Sequence, residues 1–477
     1  MGISGVDKSG RMYAKKVKKL QSEQDRPRVQ LVDEIMRDFE ERKRVRRNLE
    51  LQWQLNIDFA NGRQNNYITK FDTLTSVGKQ FFWQADQVFN HITPMIETRL
   101  AKLSSEYSGF KAKVVKSNHS ESIEEVTIAN QIVESALQKV GFDELVESAN
   151  MWSELTGTVF FKVLWDSSDG CVIGDVDGNI VKEGDVNVVI ASSFEIFPDN
   201  LNANNIEECS SIIHAKLYSS KLVEQIWGER VGLEDEVLVV EKYQKPCCKY
   251  PQGRLIIVAS GRILHDGPLP YINQINGGRC FPFIRQTSEL VTGQFYGRSV
   301  IERAIPVQRA YNALKNRKTE FLNRLACGVV AVEEGSVDLD SLENDGLAPG
   351  KVIVYRQGSS APKFMDCGTL PAEFEREEER LLKELYTITG CNDLARSAGE
   401  QNISGVALQI LVEQDNLRMN RVVKSIKRAT SQVAMHVLRL YKQFAGFGRV
   451  SRIITDNIIE QFYWNHHDIE ADDIVVS

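Results

Sequence analysis

The sequence has little that would direct it to a membrane or to an oxidising compartment. Its eight cysteines are scattered through 477 residues, and only Cys247 and Cys248 are adjacent. Adjacent cysteines seldom pair with each other, and scattered cysteines in a large chain are typical of a reduced, cytosolic protein. No run approaches the roughly eighteen apolar residues of a membrane span, and the N-terminus lacks an apolar signal core. The sequence therefore predicts a cytosolic protein with no membrane partner.

An excess of charge of one sign is also missing. The net charge is −7 and the hydrophobic fraction is an ordinary 42%. Such a chain is long enough for two or three cores, but as a whole it is no polycation that seeks nucleic acid. Any contact with DNA must therefore be local.

Motifs of catalytic sites are incomplete or absent. Residues 346–352, Gly-Leu-Ala-Pro-Gly-Lys-Val, are one residue short of a phosphate loop and have valine where a hydroxyl must meet magnesium. No Gly-x-Ser-x-Gly elbow is present. These absences argue against a nucleotide-hydrolysing motor and against an enzyme in general, and they predict no cofactor.

Metal-ligand candidates are weak as well. Cys247-Cys248 and His466-His467 lack the spacing that lets ligands from one short loop converge on zinc, so we predict no metal site. An aspartate-rich stretch resembles the start of a calcium loop, but it lacks the later glutamate, and we interpret it as hairpin turns. As a carboxylate site it leaves a metal-dependent nuclease or other DNA-acting enzyme open as an alternative. Its members are Asp166, Asp169, Asp175 and Asp177.

Periodicity predicts an α+β protein. Residues 1–30 form a basic N-terminal arm without apolar periodicity, and residues 31–59 form an amphipathic helix. Further helices are expected from Thr93 to residue 103 and on either side of Gly141. Short strands follow, joined by Asp-Gly turns and interrupted by a helix near residues 220–227. The predicted strands are 158–165, 171–174, 180–182, 187–190, 237–243, 254–259 and 262–265.

A long helix after Tyr296 organises the second half of the sequence. Its apolar stripe runs from Val300 to Leu325 in steps of three and four, and Lys318 alone interrupts it. Pro306 is placed where a short first turn ends and a longer helix begins. The opposite face is basic and amidic, with Arg303, Asn312, Asn316, Arg317 and Asn323.

An acidic insertion separates this helix from a second amphipathic helix over residues 371–389. Strands are expected in the insertion at 328–332 and 351–355. The loop 390–403 is rich in small and polar residues, and a helix of about forty residues follows from Ser404 to Phe444. Beyond Gly446 we predict a short helix and an edge strand near 468–476.

Several segments resemble stretches of tailed-bacteriophage portal proteins. Each motif alone is modest, but their order and spacing over most of the chain make the resemblance specific. The segments are Phe89-Asn-His-Ile-Thr-Pro94, Gly157-Thr-Val-Phe-Phe-Lys-Val-Leu-Trp-Asp166, Phe197-Pro-Asp199, Phe295-Tyr-Gly-Arg-Ser299, Ile305-Pro-Val-Gln-Arg-Ala-Tyr-Asn312 and Ser404-Gly-Val-Ala-Leu408.

The resemblance implies a portal fold with a helical and β-rich wing, a two-helix stem, a small α/β clip and one long wing helix. A portal protein usually continues into a helical crown, which here is minimal or absent. The implied regions are the arm 1–30, the wing 31–296, the stem helix 297–325, the clip 326–370, the second stem helix 371–389, the tunnel loop 390–403, the long wing helix 404–445 and the C-terminal wing segment 446–477.

The resemblance also implies a function without chemistry. Portal proteins form rings, typically of twelve subunits, at one vertex of the virion capsid, and are assembled in the cytoplasm of the bacterial host. The ring conducts double-stranded DNA during packaging and ejection. The implied partners are the terminase large subunit, head-to-tail adaptor proteins, and the major capsid and scaffolding proteins. A head-completion adaptor is a further alternative, although adaptors are much shorter and lack a stem that bears a clip.

Two sets of site residues follow from that resemblance. Sparse polar side chains in the tunnel loop suit weak, sequence-independent contact with DNA that must slide: Asn392, Asp393, Arg396, Ser397, Gln401 and Asn402. Acidic side chains of the clip suit docking of the motor and the adaptors: Glu333, Glu334, Asp338, Asp340, Glu343 and Asp345. Lys318 is expected to reach a carboxylate of the second stem helix or of a neighbouring subunit.

Overall fold

The chain divides into two compact units. The first contains Met1–Trp53, Arg99–Val300 and Asn416–Ser477, and the second contains Gln54–Thr98 and Ile301–Asp415. The structure is a computed structural model, and it describes residues 8–76, 78, 84–105, 112–114, 121–176, 179–228, 235–273, 278–327, 329–337, 353–365, 369–391, 405–446, 449–455, 458–464 and 474–476.

Runs of helices and runs of strands follow one another along the chain, as is typical of an α+β protein. The described helices are α1 Lys8–Ala60, α2 Ile92–Ser105, α3 Glu121–Val140, α4 Phe142–Thr156, α5 Ser220–Trp227, α6 Val300–Cys327, α7 Glu373–Thr389 and α8 Gly405–Phe444. None of them is long and apolar enough to cross a lipid bilayer. The helix α1 begins well before the predicted start near residue 31, whereas α2 to α8 begin and end within a few residues of their predicted limits.

The strands are short and antiparallel. They are β1 Asn66–Ile68, β2 Leu74–Ser76, β3 Ala112–Val114, β4 Thr158–Asp166, β5 Val172–Val176, β6 Asn179–Lys182, β7 Asp185–Ser192, β8 Ile196–Pro198, β9 Ser211–Ser219, β10 Glu236–Gln244, β11 Arg254–Ala259, β12 Arg262–Gly267, β13 Ile272–Asn273, β14 Gly278–Arg279, β15 Phe283–Thr287, β16 Val329–Ala331, β17 Lys363–Met365, β18 Arg449–Thr455, β19 Ile458–Trp464 and β20 Ile474–Val476.

A five-stranded sheet in the order β12-β11-β10-β9-β8 forms one core of the first unit. The apolar stripe of α1, with Val32, Ile35 and Phe39, packs on this sheet. The predicted stripe is wrong at Val45, which is 61% exposed, because Arg46 is buried in its place. Its guanidinium lies 3.6 Å from the ring centroid of Phe197 and donates to the carbonyl of Ser193 at 2.8 Å. Those contacts stabilise a charge that burial alone would disfavour.

A second core of the first unit lies around the sheet β15-β4-β7. Helices α3, α4 and the C-terminal part of α8 contribute its apolar side chains. Periodicity predicts an apolar stripe on α8 that ends at Phe444, and the structure buries most of it: Val423, Ile426, Val433, Val437 and Leu440 are buried and Phe444 is partly buried. A helix of this length is stabilised by such packing rather than by its own propensity.

Two glycines of the motif segments meet in the first unit. A Cβ on Gly157, whose φ is 84°, would lie 2.4 Å from the carbonyl oxygen of Gly297. A Cβ on Gly297 would lie 2.6 Å from the carbonyl oxygen of Gly157. Only glycine permits this close backbone approach. The two motifs thus fix the end of α4 against the residues that precede α6.

The C-terminal residues differ from the prediction. Strands β18 and β19 form an antiparallel hairpin where a short helix was expected, while β20 pairs with β3 and confirms the edge strand. The guanidinium of Arg449 lies 5.1, 5.5 and 6.0 Å from the ring centroids of Trp165, Tyr441 and Trp464. These cation–π contacts hold the hairpin on the second core, and they join residues too distant in sequence for local periodicity to reveal.

The second unit contains the hairpin β1–β2, helices α6 and α7, and the short sheet β16–β17. Helix α6 is continuous through Pro306, so the predicted break there is wrong. Ala304 and Ile305 beside it are buried, and their burial offsets the lost backbone hydrogen bond. In the insertion, β16 pairs with residues 363–365, not with the predicted strand 351–355. Val354 is 80% exposed.

Candidate functional site: the helix pair and the segment docked on it

Helices α6 and α7 pack against each other within the second unit. Tyr311 of α6 packs with Leu381 and Leu382 of α7, and these three side chains are buried. The partly buried Val307 and Leu314 extend the same contact. The pair is therefore formed by the apolar stripes that periodicity predicted for the two helices.

The polar residue in that stripe, Lys318, pairs with α7 as predicted. Its Nζ lies 3.3 Å from Glu378 Oε2 and 3.8 Å from Glu375 Oε1. Lys315 Nζ contacts the other oxygen of Glu378 at 2.6 Å. Partial burial acts to raise the pKa of Glu378, but hydrogen bonds from Lys315 and Lys318 outweigh it and hold this pKa below its ordinary value. The carboxylate is thus kept charged between two cations.

An extended segment, residues 84–91, is held on another side of α6 by a ladder of side-chain acceptors. Every second backbone N–H of the segment donates to every fourth side chain of the helix. The four rungs are His91 N to Gln308 Oε1 at 3.3 Å, Phe89 N to Asn312 Oδ1 at 3.1 Å, Gln87 N to Asn316 Oδ1 at 3.0 Å, and Ala85 N to Glu320 Oε1 at 3.1 Å. We call these the amide ladder.

Two of the amides also return a hydrogen bond to the segment. Gln308 Nε2 donates to the carbonyl of Phe89 at 2.7 Å, and Asn316 Nδ2 donates to the carbonyl of Gln87 at 3.1 Å. Four helical residues rise about 6.0 Å, and two extended residues rise about 6.6 Å. Because these repeats are similar, one helix face can satisfy an extended backbone as a neighbouring strand would.

The ladder corrects the predicted polar face of α6. Asn312 was predicted on the face opposite the apolar stripe, but it is only 9% exposed and Gln308 is fully buried. Asn312 Nδ2 donates to Gln64 Oε1 at 2.6 Å, so both the oxygen and the nitrogen of its amide are hydrogen bonded. A carboxamide can both donate and accept, which is why the face is amidic. The four-residue spacing was visible in the sequence, but its partner is more than two hundred residues away.

His91 lies where the ladder meets the helix pair. Its ring centroid is 4.7 Å from that of Tyr311 in an edge-to-face arrangement. Burial lowers the pKa of His91, and the nearby Lys315 charge lowers it further. The imidazole is therefore predominantly neutral at pH 7.

The predicted docking residues of the insertion are only partly described. Glu333 and Glu334 are exposed, whereas Asp338, Asp340, Glu343 and Asp345 lie outside the described residues. The Glu333 carboxylate accepts from the backbone N–H of Ser360 at 3.2 Å and from its hydroxyl. These hydrogen bonds lower the pKa of Glu333. Glu333 thus links the residues that follow β16 to those that precede β17, and Glu334 is exposed to solvent.

The predicted DNA-facing residues Asn392, Asp393, Arg396, Ser397, Gln401 and Asn402 all lie outside the described residues. The residues at the start of their loop are described. Gly390 ends α7 in the left-handed conformation with φ 70°, as is common after a helix. Cys391 is buried, and its Sγ donates to the carbonyl of Met95 at 3.4 Å. The contacts of Cys391 therefore fix the position at which the loop 390–403 begins.

The aspartate-rich stretch has structural partners where it is described. Asp166 accepts from the backbone N–H of Ser168 at 2.8 Å, and Asp169 accepts from Lys139 at 3.1 Å. A hydrogen bond from the Gly170 N–H is the main cause of the lowered pKa of Asp169. The side chain of Asp175 and all of Asp177 lie outside the description. Across the described ranges, no three His, Cys, Asp or Glu side chains are grouped to bind a metal ion.

A buried ionic cluster in the first unit was missed. Lys162 Nζ lies 2.6 Å from Glu241 Oε2, and the same oxygen accepts from the Tyr243 hydroxyl at 2.6 Å. His214 Nδ1 lies 3.3 Å from the same oxygen, although the sequence around His214 indicates an isolated histidine. Burial acts to raise the pKa of Glu241, but the charge of Lys162 dominates and depresses it strongly. The available signal was a lysine within the apolar run of β4.

A comparison with known protein families gives one match. Residues 249–474, slightly less than half of the chain, match the model of the phage P22-like portal protein family. The matched range contains α6, the insertion, α7 and α8. No curated protein matches the chain.

Proposed function

We propose that the chain is a phage portal protein, since residues 249–474 match the model of the phage P22-like portal protein family, and from this premise that it assembles into a ring that conducts double-stranded DNA. Portal proteins are structural components of the phage capsid, at the head–tail connector, and take part in DNA packaging. We infer a ring of twelve copies at one capsid vertex, through which the genome is packaged and later ejected.

The helix pair that carries the insertion supports this proposal best. The side chains between α6 and α7 leave other sides of both helices exposed, with Arg317 and Glu379 among the exposed residues. A ring with cyclic symmetry uses the same heterologous contact at each step, so every copy needs two different surfaces. We propose that α6 and α7 form the stem of the ring, around its channel.

The insertion, residues 326–370, is proposed to dock first the terminase large subunit and then the head-to-tail adaptors. Glu334 is exposed there, and Tyr355 and Met365 are 46% and 58% exposed. Exposed apolar side chains beside charged ones are typical of protein-binding surfaces. The major capsid and scaffolding proteins are proposed partners of the rest of the ring.

Residues 390–403 are proposed to approach the DNA. Arg396 is the single cation of this loop, among small and amidic residues. One phosphate contact per subunit holds DNA weakly and without regard to sequence. The fixed departure of the loop at Cys391 would limit its reach toward the channel axis.

Electron microscopy of the purified protein tests the ring directly. We expect closed rings, and top-view class averages give the number of subunits. A monomer with no ring under any assembly condition would contradict the proposal. For the loop, deletion of residues 392–402 should leave rings intact while it impairs DNA packaging or retention, and loss of the rings would instead give the loop a structural role.

A further inference from the structure

Helix α6 has three sides with different surroundings. Tyr311, Lys315 and Lys318 face α7, and the amide ladder holds residues 84–91 on a second side. Successive residues are rotated by about 100°, which places Ala310, Ala313 and Arg317 together on the third side. All three are exposed. We call this side the open face of α6.

Arg317 is the cation in the middle of the open face. No carboxylate pairs with it among the residues that the structure describes. Ala313 and Ala310, one and two turns earlier, have short side chains, so another helix can approach the backbone there closely. An exposed guanidinium next to small residues suits a carboxylate on a neighbouring helix.

Helix α7 has an acidic edge. Glu375 and Glu379 are one turn apart, and the Glu375 side chain is 68% exposed while Glu379 is also exposed. Tyr386 belongs to the same edge by its helical position, and it packs on the same apolar cluster as Phe89 of the docked segment. The acidic edge therefore lies on the side of the helix pair that bears residues 84–91.

The two helices run antiparallel, since Lys318 reaches Glu375 while Tyr311, two turns earlier, reaches Glu378. With this direction, helical rotation puts the acidic edge and the open face on opposite sides of the pair. One side of the pair thus presents Arg317, and the other presents Glu375 and Glu379. Two such pairs are complementary when they meet side by side in the same orientation, which is a heterologous contact.

We propose that the open face of α6 in one copy binds the acidic edge of α7 in the next copy, with Arg317 paired to Glu379. This inference rests on the proposed ring and names the surface at which its subunits recognise each other. A symmetric dimer would instead bring like charges together, so the arrangement favours head-to-tail growth and ring closure.

Charge reversal tests the pair in the full chain. We expect Arg317→Glu and Glu379→Arg each to raise the protein concentration needed for half-maximal ring formation about tenfold or more, because like charges then face each other at every interface. The chain with both substitutions should assemble within about threefold of the wild type, since the pair is restored in reverse. Arg380→Glu, with the same change of charge on the side of α7 that faces away from α6, is the matched control and should assemble normally.

Mixing the two single variants gives a sharper test, because an alternating ring pairs opposite charges at every interface. We expect equimolar Arg317→Glu and Glu379→Arg chains to form rings together at a concentration at which neither variant forms them alone, as measured by native mass spectrometry. Failure of both the mixture and the double variant, or equal impairment by Arg380→Glu, would overturn the proposed pair. If the wild type forms rings and the single variants form them at the same protein concentration, only the proposed Arg317–Glu379 pair is contradicted. Absence of rings in the wild type would contradict the proposed function itself.

Discussion

The two compact units bury polar side chains in different ways. In the first unit, Lys162, Glu241 and His214 form one cluster inside the protein, each side chain at most 7% exposed. In the second, Glu378 and its two lysines lie at a helix surface, where the lysine side chains are 25% and 20% exposed. Water screens the second cluster but not the first. Losing one partner should therefore matter more in the first unit.

The largest expected effect comes from breaking the buried cluster. Lys162→Met removes the cation and leaves the Glu241 carboxylate buried without it, which we expect to lower the free energy of unfolding by about 3–5 kcal/mol. Chemical denaturation followed by circular dichroism measures this. Lys216→Met is the control, because Lys216 lies 4.0 Å from Glu195 and is 35% exposed. An equal loss of unfolding free energy in the two variants would show that burial does not determine how much an ion pair contributes to stability.

The amide ladder should give an intermediate effect. Asn312→Ala leaves the Phe89 N–H without its acceptor in a largely buried place, with an expected loss of about 1–3 kcal/mol. Hydrogen exchange at the Phe89 amide should rise together with the loss of stability. Asn323→Ala, an exposed amide on the same helix, should change stability by no more than about 0.5 kcal/mol. An unchanged hydrogen-exchange rate at the Phe89 amide in Asn312→Ala would argue against the hydrogen bond between Phe89 N and Asn312 Oδ1.

The surface cluster should give a smaller effect. Glu378→Gln removes the charge shared by Lys315 and Lys318, and we expect a loss of about 1–2 kcal/mol, since its carboxylate is 17% exposed and accepts three hydrogen bonds. Glu384→Gln, on the exposed side of α7, is the matched control and should be neutral. A loss as large as that of Lys162→Met would remove the distinction between the two clusters.

The smallest effect is the pH dependence of the same pair. The pKa of Glu378 in the folded protein lies below its ordinary value of 4.5, so its stabilising contribution is complete above that value and is lost as the pH falls through the folded pKa. The difference in stability between the wild type and Glu378→Gln should therefore be constant above about pH 6 and shrink toward about pH 3. If this stability difference instead grew as the pH fell, the lowered pKa of Glu378 would be contradicted.

Local periodicity predicted the elements of the candidate site well, and long-range partners account for the errors. Helices α6 and α7 followed from apolar spacing alone, and the role of Lys318 followed from its place in that stripe. The ladder could not be predicted, because its acceptors are satisfied by a segment more than two hundred residues earlier. The strand near residue 355 was wrong for the same reason: its composition favours a strand, but β16 pairs elsewhere. The site residues of the tunnel loop remain predictions.

The amide ladder limits its own length. Its two repeats differ by about 0.6 Å per rung, so over three intervals the helix and the extended segment drift apart by about 2 Å. One or two more rungs would place the backbone N–H donors too far from the side-chain acceptors for a hydrogen bond. The docked segment can thus clamp only a few turns of α6, and the helix beyond Glu320 must be supported by α7 or by another copy of the chain.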